Sequence, residues 1–76
     1  EDWETAAGHF ELAIDKNTNL RAWPWLAHSQ ADYAAMLKKR GDRRDLQRIG
    51  ELLNSALSSA TRYGMVILES RIKVLR

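Results

Sequence analysis

The sequence predicts an all-α fold in which four antiparallel helices form helical hairpins, and three observations favour it. Apolar residues recur every three or four positions along nearly the whole chain, and no segment alternates apolar with polar residues as a half-buried strand does. Gly41 and Gly64 each follow an amphipathic segment, where helices commonly end in a left-handed residue. With 76 residues, 45% hydrophobic and 29% charged, the chain has the composition of one small globular domain.

Residues with special backbone preferences set the predicted helix boundaries. The polar run Asn17-Thr18-Asn19 should end the first helix, because short polar side chains compete for backbone hydrogen bonds. Pro24 should lie in the first turn of the second helix, where its missing N–H is not needed. Asp42 is a natural N-cap for the third helix. The predicted helices cover about residues 2–16, 22–40, 43–63 and 65–75.

Each predicted helix has one apolar face, which predicts a single core shared by consecutive helices. Short turns make neighbours antiparallel, so each helix should pack on the next one in the chain. Gly50 interrupts the third helix, and we interpret it as a point of close approach by a neighbouring helix. Six residues on these faces should be nearly fully buried: Phe10, Leu26, Leu37, Leu53, Ala56 and Leu57.

The chain matches itself when it is shifted by 42 or 43 residues. A shift of 43 places Phe10 on Leu53, so that the first helix corresponds to the third. A shift of 42 places Leu26 on Leu68, so that the second helix corresponds to the fourth. Two amphipathic helices align at some shift by chance, but two nearly equal shifts favour a repeating helical hairpin of about 42 residues.

Some of these residues resemble a tetratricopeptide repeat. Ala6-x3-Phe10-x2-Ala13 matches the signature of its second helix, and Trp23-x2-Leu26-Ala27 is similar to the W-x2-L-G of its first. The longer repeat is more similar to the tetratricopeptide-like region of large bacterial signalling ATPases, which include cyclase-linked and LuxR-type (MalT-like) transcriptional regulators. The fragments that carry this resemblance are His9-Phe10-Glu11, Pro24-Trp25-Leu26-Ala27, Asp32-Tyr33-Ala34, Met36-Leu37, Arg40-Gly41-Asp42, Leu52-Leu53, Ala56-Leu57, Ala60 and Gly64-Met65.

This resemblance implies a helical superhelix that serves as a cytoplasmic regulatory or protein-binding arm of a larger regulator. Because Glu1 opens the chain inside a predicted helix, we also expect the chain to be a segment of a longer protein.

No arrangement of residues in the sequence predicts catalysis, a metal centre or a cofactor. His9 and His28 lie on different predicted helices, there is no cysteine, and no glycine-rich phosphate loop is present. We therefore predict that the chain is not an enzyme and uses no metal or cofactor. The longest apolar runs have about four residues, so we predict no membrane span.

The predicted partner-binding residues lie on the second helix. Trp23 and Trp25 flank the proline and therefore point to roughly opposite faces. Trp23 continues the core stripe, whereas Trp25 continues a second line through His28, Asp32 and Lys39. In a helical solenoid this helix lines the concave surface, so we predict that the second line contacts a protein partner. The alternative is that Trp25 packs on the first helix or on a preceding hairpin.

The charge distribution leaves two other functions open. Residues 1–37 carry a net charge of −4 and residues 38–76 a net charge of +6. The basic segment Lys38–Arg48 is either a solvated corner between helices or a surface for nucleic acid or an acidic partner. A third hypothesis is a small-molecule effector bound between Trp23, Tyr33 and the third helix.

The terminal helices predict self-association. The fourth helix is apolar on more than one side, and Trp3 lies at the open end of the first. Stacked helical repeats need about three units for stability, and this chain offers barely two. We therefore expect a homodimer through these helices, most simply a closed twofold one.

Overall fold

The computed structural model describes residues 2–76, and within that range it contains helices and turns but no strand. The predicted all-α fold is therefore confirmed. The helices are α1 (Trp3–Asn19), α2 (Trp23–Arg40), α3 (Leu46–Arg62) and α4 (Val66–Leu75), with a short 3-10 helix (Arg43–Asp45) before α3.

The helices pack in chain order, as predicted. α1 packs on α2, α2 on α3 and α3 on α4, and α4 also touches α2. Two contacts show that α2 and α3 are antiparallel. Gln30 Nε2 donates to Ser55 Oγ midway along both helices, and Arg40 pairs with Asp45 beside the turn.

The core is built on small residues of α2 and α3 and on large apolar residues around them. The alanines let the helix axes approach, because no side chain beyond Cβ separates the backbones. The fully buried alanines are Ala27, Ala31, Ala34, Ala56 and Ala60. The large residues that complete the core are Leu37, Ile49, Leu52, Leu53, Leu68 and Ile72.

Burial is confirmed for four of the six predicted core residues, which are Leu26, Leu37, Leu53 and Ala56. It is wrong for Phe10 and Leu57, which are only partly buried. Phe10 stacks on Tyr33, but α1 packs mainly against α2 and reaches α3 through the Glu11–Arg48 ion pair, so part of the ring stays open. Leu57 is a partly buried residue of α3 that packs against the edge of the core.

The end of α1 differs from the prediction, because the helix continues through Asn17-Thr18-Asn19. Asn17 Nδ2 donates to Ser29 Oγ at 3.3 Å, and Thr18 Oγ1 donates to the Ile14 carbonyl at 2.7 Å. Neither side chain takes a hydrogen bond from the helix backbone, so neither ends the helix. The helix ends before Arg21, which has a left-handed φ of 55°.

The two predicted glycine turns are confirmed. Gly41 has a φ of 73° and Gly64 a φ of 67°. Asp42 caps the next segment, since its Oδ1 accepts from the Arg44 N–H at 2.9 Å. This first segment is a 3-10 turn, so the α-helix predicted from residue 43 begins only at Leu46.

Gly50 does not mark a close helix approach, so that interpretation is wrong. It is exposed, and a Cβ built at Gly50 would meet no atom within 4 Å. The alanines of α2 and α3 provide the close approach instead.

The turn between α1 and α2 occurs again between α3 and α4, 43 residues further along the chain. Arg21 (φ 55°) corresponds to Gly64 (φ 67°). The next residues, Ala22 and Met65, have φ/ψ values of −86°/68° and −85°/72°. This pattern of left-handed residue and 6→1 bond is a Schellman motif. The matching N–H···O=C bonds are Leu20 to Lys16, Arg21 to Thr18 and Ala22 to Asn17 in the first turn, and Tyr63 to Ser59, Gly64 to Thr61 and Met65 to Ala60 in the second.

The sequence match of α1 with α3 at a shift of 43 therefore has a backbone counterpart. Because α2 and α4 also begin 43 residues apart, the shift of 42 that places Leu26 on Leu68 is one residue short, and Leu26 corresponds to Glu69. The helix α1 with its turn corresponds to α3 with its turn, and α2 follows the first turn as α4 follows the second. The α2–α3 turn at Gly41 has a different form, since a 3-10 helix follows it.

Candidate functional site

An open groove of about 610 Å³ lies between α2 and the beginning of α4. Trp25 stands beside it, with its ring centroid 6.4 Å from that of His28. Trp25 is 68% exposed and Ile67 is 88% exposed, although both are large and apolar. The residues that line the groove are His28, Gly64, Met65, Val66, Ile67, Leu68 and Arg71.

The structure brings three of the four predicted binding residues to this groove. His28 lines it, Trp25 lies against His28, and Asp32 follows one turn later on α2. Asp32 accepts a hydrogen bond at 2.6 Å from Nη1 of Arg71, which lines the groove from α4. Lys39, two turns further along α2, is exposed and lies outside the groove lining.

The residues that α4 contributes were missed by sequence reasoning. Met65, Val66, Ile67 and Arg71 form the second wall of the groove. The sequence does indicate a second apolar surface here, because the fourth helix is apolar on more than one side. Periodicity alone does not say which of these sides α3 covers and which borders α2.

The ion pair between Arg71 and Asp32 links the two walls of the groove. Its side chains are 44% and 48% exposed, and exposed pairs of this kind contribute about 0.2–1 kcal/mol. Asp32 therefore holds the Arg71 guanidinium in position at the groove, but the bond between them is weak enough to be exchanged. A carboxylate from a partner can replace Asp32 at little cost in free energy.

Carboxylates of the same chain offset part of the positive charge of the basic corner Lys38–Arg48, because they pair with Arg40, Arg44 and Arg48. Hydrogen bonds from Arg44 hold the pKa of Asp42 down at about 2. Lys38 donates to the Leu75 carbonyl and ties the end of α4 to α2. These contacts lower the positive potential that a nucleic-acid backbone would meet. The ion pairs are Arg40–Asp45, Arg44–Asp42 and Arg48–Glu11.

The structure places Trp23 and Tyr33, two of the residues predicted to border a small-molecule pocket, in different surroundings. Trp23 lines a cleft of about 480 Å³ between α2 and α3, and Ser55, Ser59 and Arg62 line the same cleft from α3. Tyr33 lies elsewhere. It stacks on Phe10 with the ring centroids 5.4 Å apart, below the Arg48 guanidinium.

Neither a metal-ligand cluster nor a membrane span is found between residues 2 and 76. No three histidine, aspartate or glutamate side chains in that range are grouped as a metal site. No helix there has both the length and the apolar character needed to cross a bilayer.

Comparison with protein-family models, with curated proteins and with solved structures gives no match. The tetratricopeptide-like interpretation therefore depends on the sequence fragments quoted above, and the helical-hairpin repeat depends also on the duplicated turn.

Proposed function

We propose that this chain is a non-catalytic protein-binding module, and specifically a tetratricopeptide-like segment in the regulatory arm of a larger cytoplasmic bacterial regulator. The sequence fragments support the family, and the turn that recurs after 43 residues supports the hairpin repeat. The ion pairs of the basic corner favour a protein partner over a nucleic acid.

The observation that carries this proposal is the pair of large apolar side chains at the groove. Trp25 and Ile67 stand on the two helices that border it and are mostly exposed. Burying such a side chain stabilises a complex by roughly 2 kcal/mol. Tryptophan is also the residue most enriched among those that dominate binding energy in interfaces.

The occupant we propose is a short apolar segment of another protein that carries one carboxylate. The apolar part packs between Trp25 and the Val66–Ile67 wall. The carboxylate binds Arg71 in exchange for Asp32, because Arg71 lines the groove and its ion pair with Asp32 is accessible to solvent. A bidentate arginine–carboxylate contact fixes the register of the segment.

A displayed library of random peptides tests this function. Selection on the wild-type chain should enrich apolar peptides that carry an acidic residue. Trp25→Ala and Ile67→Ala should each weaken their binding at least about tenfold, whereas Leu46→Ala should leave it unchanged. Leu46 is the matched control, since it is similarly exposed but lies outside the groove.

Enrichment of no peptide, or of peptides that bind all three variants as tightly as the wild type, would contradict the proposal. A preference for lysine-rich peptides would show that Asp32 and not Arg71 directs recognition, and would overturn the assigned partner chemistry.

A further inference from the structure

The duplicated turn makes α3 the counterpart of α1, and α4 the counterpart of α2. Within the chain, α2 is packed against α1, α3 and α4. Its counterpart α4 contacts α3 and, to a small extent, α2. The surface of α4 therefore includes positions that on α2 are covered by neighbouring helices.

Pairs of counterpart residues show where this uncovered surface lies. Ala27 and Ala31 on α2 are fully buried. Their counterparts 43 residues later are Ser70, which is exposed, and Val74, which is 85% exposed. The counterpart of Gln30, which bonds to Ser55 of α3, is Lys73, which is exposed as well.

The outer face of α1 also exposes residues whose counterparts on α3 are buried or contact α2. Leu52 of α3 is 2% exposed, and its counterpart His9 on α1 is exposed. Ser55 of α3 contacts α2 through Gln30, and its counterpart Leu12 is 67% exposed. The side of α1 that corresponds to the α2-facing side of α3 is therefore open.

The charges of these two terminal helices are opposite. α1 carries Glu4, Glu11 and Asp15 against Lys16. α4 and the residue after it carry three bases, Arg71, Lys73 and Arg76, against Glu69. Opposite charges favour contact between α1 of one copy and α4 of another, and they disfavour contact between two like helices around a twofold axis.

We propose that the chain binds a second copy of itself head to tail, with α1 of one copy packed on α4 of the next as α3 packs on α2 within the chain. In this arrangement Leu12 of one copy lies against Lys73 of the other, in the places of Ser55 and Gln30. Lys16 of the first copy takes the place of Ser59, and Glu69 of the second copy takes the place of Leu26. Leu26 and Ser59 line one cleft within the chain. Lys16 and Glu69, which replace them between the copies, carry opposite charges.

Such an interface is heterologous, so every copy keeps one free α1 and one free α4. The assembly therefore does not close at two copies, unlike the twofold homodimer expected from the sequence. The inference rests on the duplicated turn and the terminal helices, and it does not depend on a peptide in the α2–α4 groove.

Sedimentation equilibrium of the 76-residue chain tests the inference at concentrations up to about 1 mM. The weight-average mass of the wild type should pass twice the monomer mass of 8.7 kDa and keep rising with concentration. Raising the ionic strength should lower it, because exposed charge pairs are screened.

Two single substitutions separate the head-to-tail interface from a twofold one. Val74→Lys blocks the α4 end, and Leu12→Lys blocks the α1 end, so each variant alone should be monomeric. A mixture of the two should form dimers, since one copy still has a native α1 and the other a native α4. Both positions are exposed, and circular dichroism should confirm that both variants fold.

Ile67→Lys is the matched control for these substitutions. Its counterpart Pro24 stays exposed although α2 is covered by three helices, so position 67 should stay exposed in the assembly. This variant should associate like the wild type while losing the peptide binding proposed for the groove.

Three outcomes would overturn the inference. A wild type that remains monomeric at about 1 mM has no such interface. Association of Leu12→Lys alone, with loss only in Val74→Lys, shows a twofold contact through α4. The reverse pattern shows a twofold contact through α1.

Discussion

At the scale of single residues, the same backbone turn is built once around an arginine and once around a glycine. Arg21 has a φ of 55° and Gly64 a φ of 67°. The left-handed conformation destabilises a residue with a Cβ by about 1 kcal/mol or more, whereas glycine has no such steric cost. The first turn is therefore the strained copy of the pair.

Arg21→Gly should stabilise the chain by roughly 0.5–1 kcal/mol, because relief of this strain exceeds the added freedom of the unfolded chain. The matched change Gly64→Ala should destabilise it by about 1 kcal/mol, because it introduces the strain that Arg21 already carries. Urea denaturation measures both changes. If Arg21→Gly is less stable than the wild type, the contacts of the arginine side chain stabilise the fold by more than the left-handed backbone destabilises it.

Asp42 gives a prediction about pH. Hydrogen bonds from Arg44 lower the pKa of this carboxyl from 3.8 to about 2. Because the folded pKa is depressed, its contribution to stability is present above the unfolded value and is lost as the pH falls towards 2. Between pH 5 and pH 2, the wild type should lose more of its free energy of unfolding than Asp42→Asn, which has no carboxyl to titrate there. Equal losses in the two proteins would contradict this role.

At the scale of elements, sequence reasoning located the helices better than their ends. Apolar periodicity was sufficient for four helices, because each needs one continuous face to pack. The end of α1 was missed because Asn17 and Thr18 bond to Ser29 and to the Ile14 carbonyl, and the first of these contacts comes from another helix. A left-handed arginine carries no sequence signal comparable to glycine.

Gly50 lies inside α3 with open space around it, so the helix gains nothing from the missing side chain. Gly50→Ala should stabilise the chain by about 1 kcal/mol, because alanine has the higher helix propensity. Thermal unfolding followed by circular dichroism measures the change. A lower melting temperature would show that this position needs glycine for a contact outside the chain.

Leu53 is the strongest test of the core of α3. It is 3% exposed, and Leu53→Ala should cost about 2–5 kcal/mol through lost burial and a residual cavity. A small domain has little stability to lose, so this variant should be largely unfolded at room temperature. Leu46→Ala, at a 66% exposed position of the same helix, should change stability by less than about 0.5 kcal/mol. Similar losses in both variants would contradict the burial difference.

At the scale of the whole molecule, the sequence predicted the order in which the helices pack, but it predicted the depth of burial of single residues only in part. Phe10 and Leu57 have the spacing of core residues, yet their exposure depends on how many helices cover α1 and α3. The groove likewise includes residues that the sequence pattern identified and residues that only the packing of the helices revealed. Trp25, His28 and Asp32 were found because they share one line on α2, whereas Ile67 and Arg71 joined them only when packing placed α4 beside that line.

The absence of any buried residue on α1, within the part of that helix that the structure describes, has a consequence for local unfolding. A helix that meets the core only through partly buried side chains, such as Ala7, Phe10 and Ile14, should open at a lower free energy than the α2–α3 hairpin. Amide hydrogen exchange should therefore proceed in stages, first in α1 and last in the alanine-rich centre of α2. If amide exchange in α1 becomes slower as the protein concentration rises, another copy of the chain covers this helix. Hydrogen exchange would then detect the contact between copies without a measurement of mass.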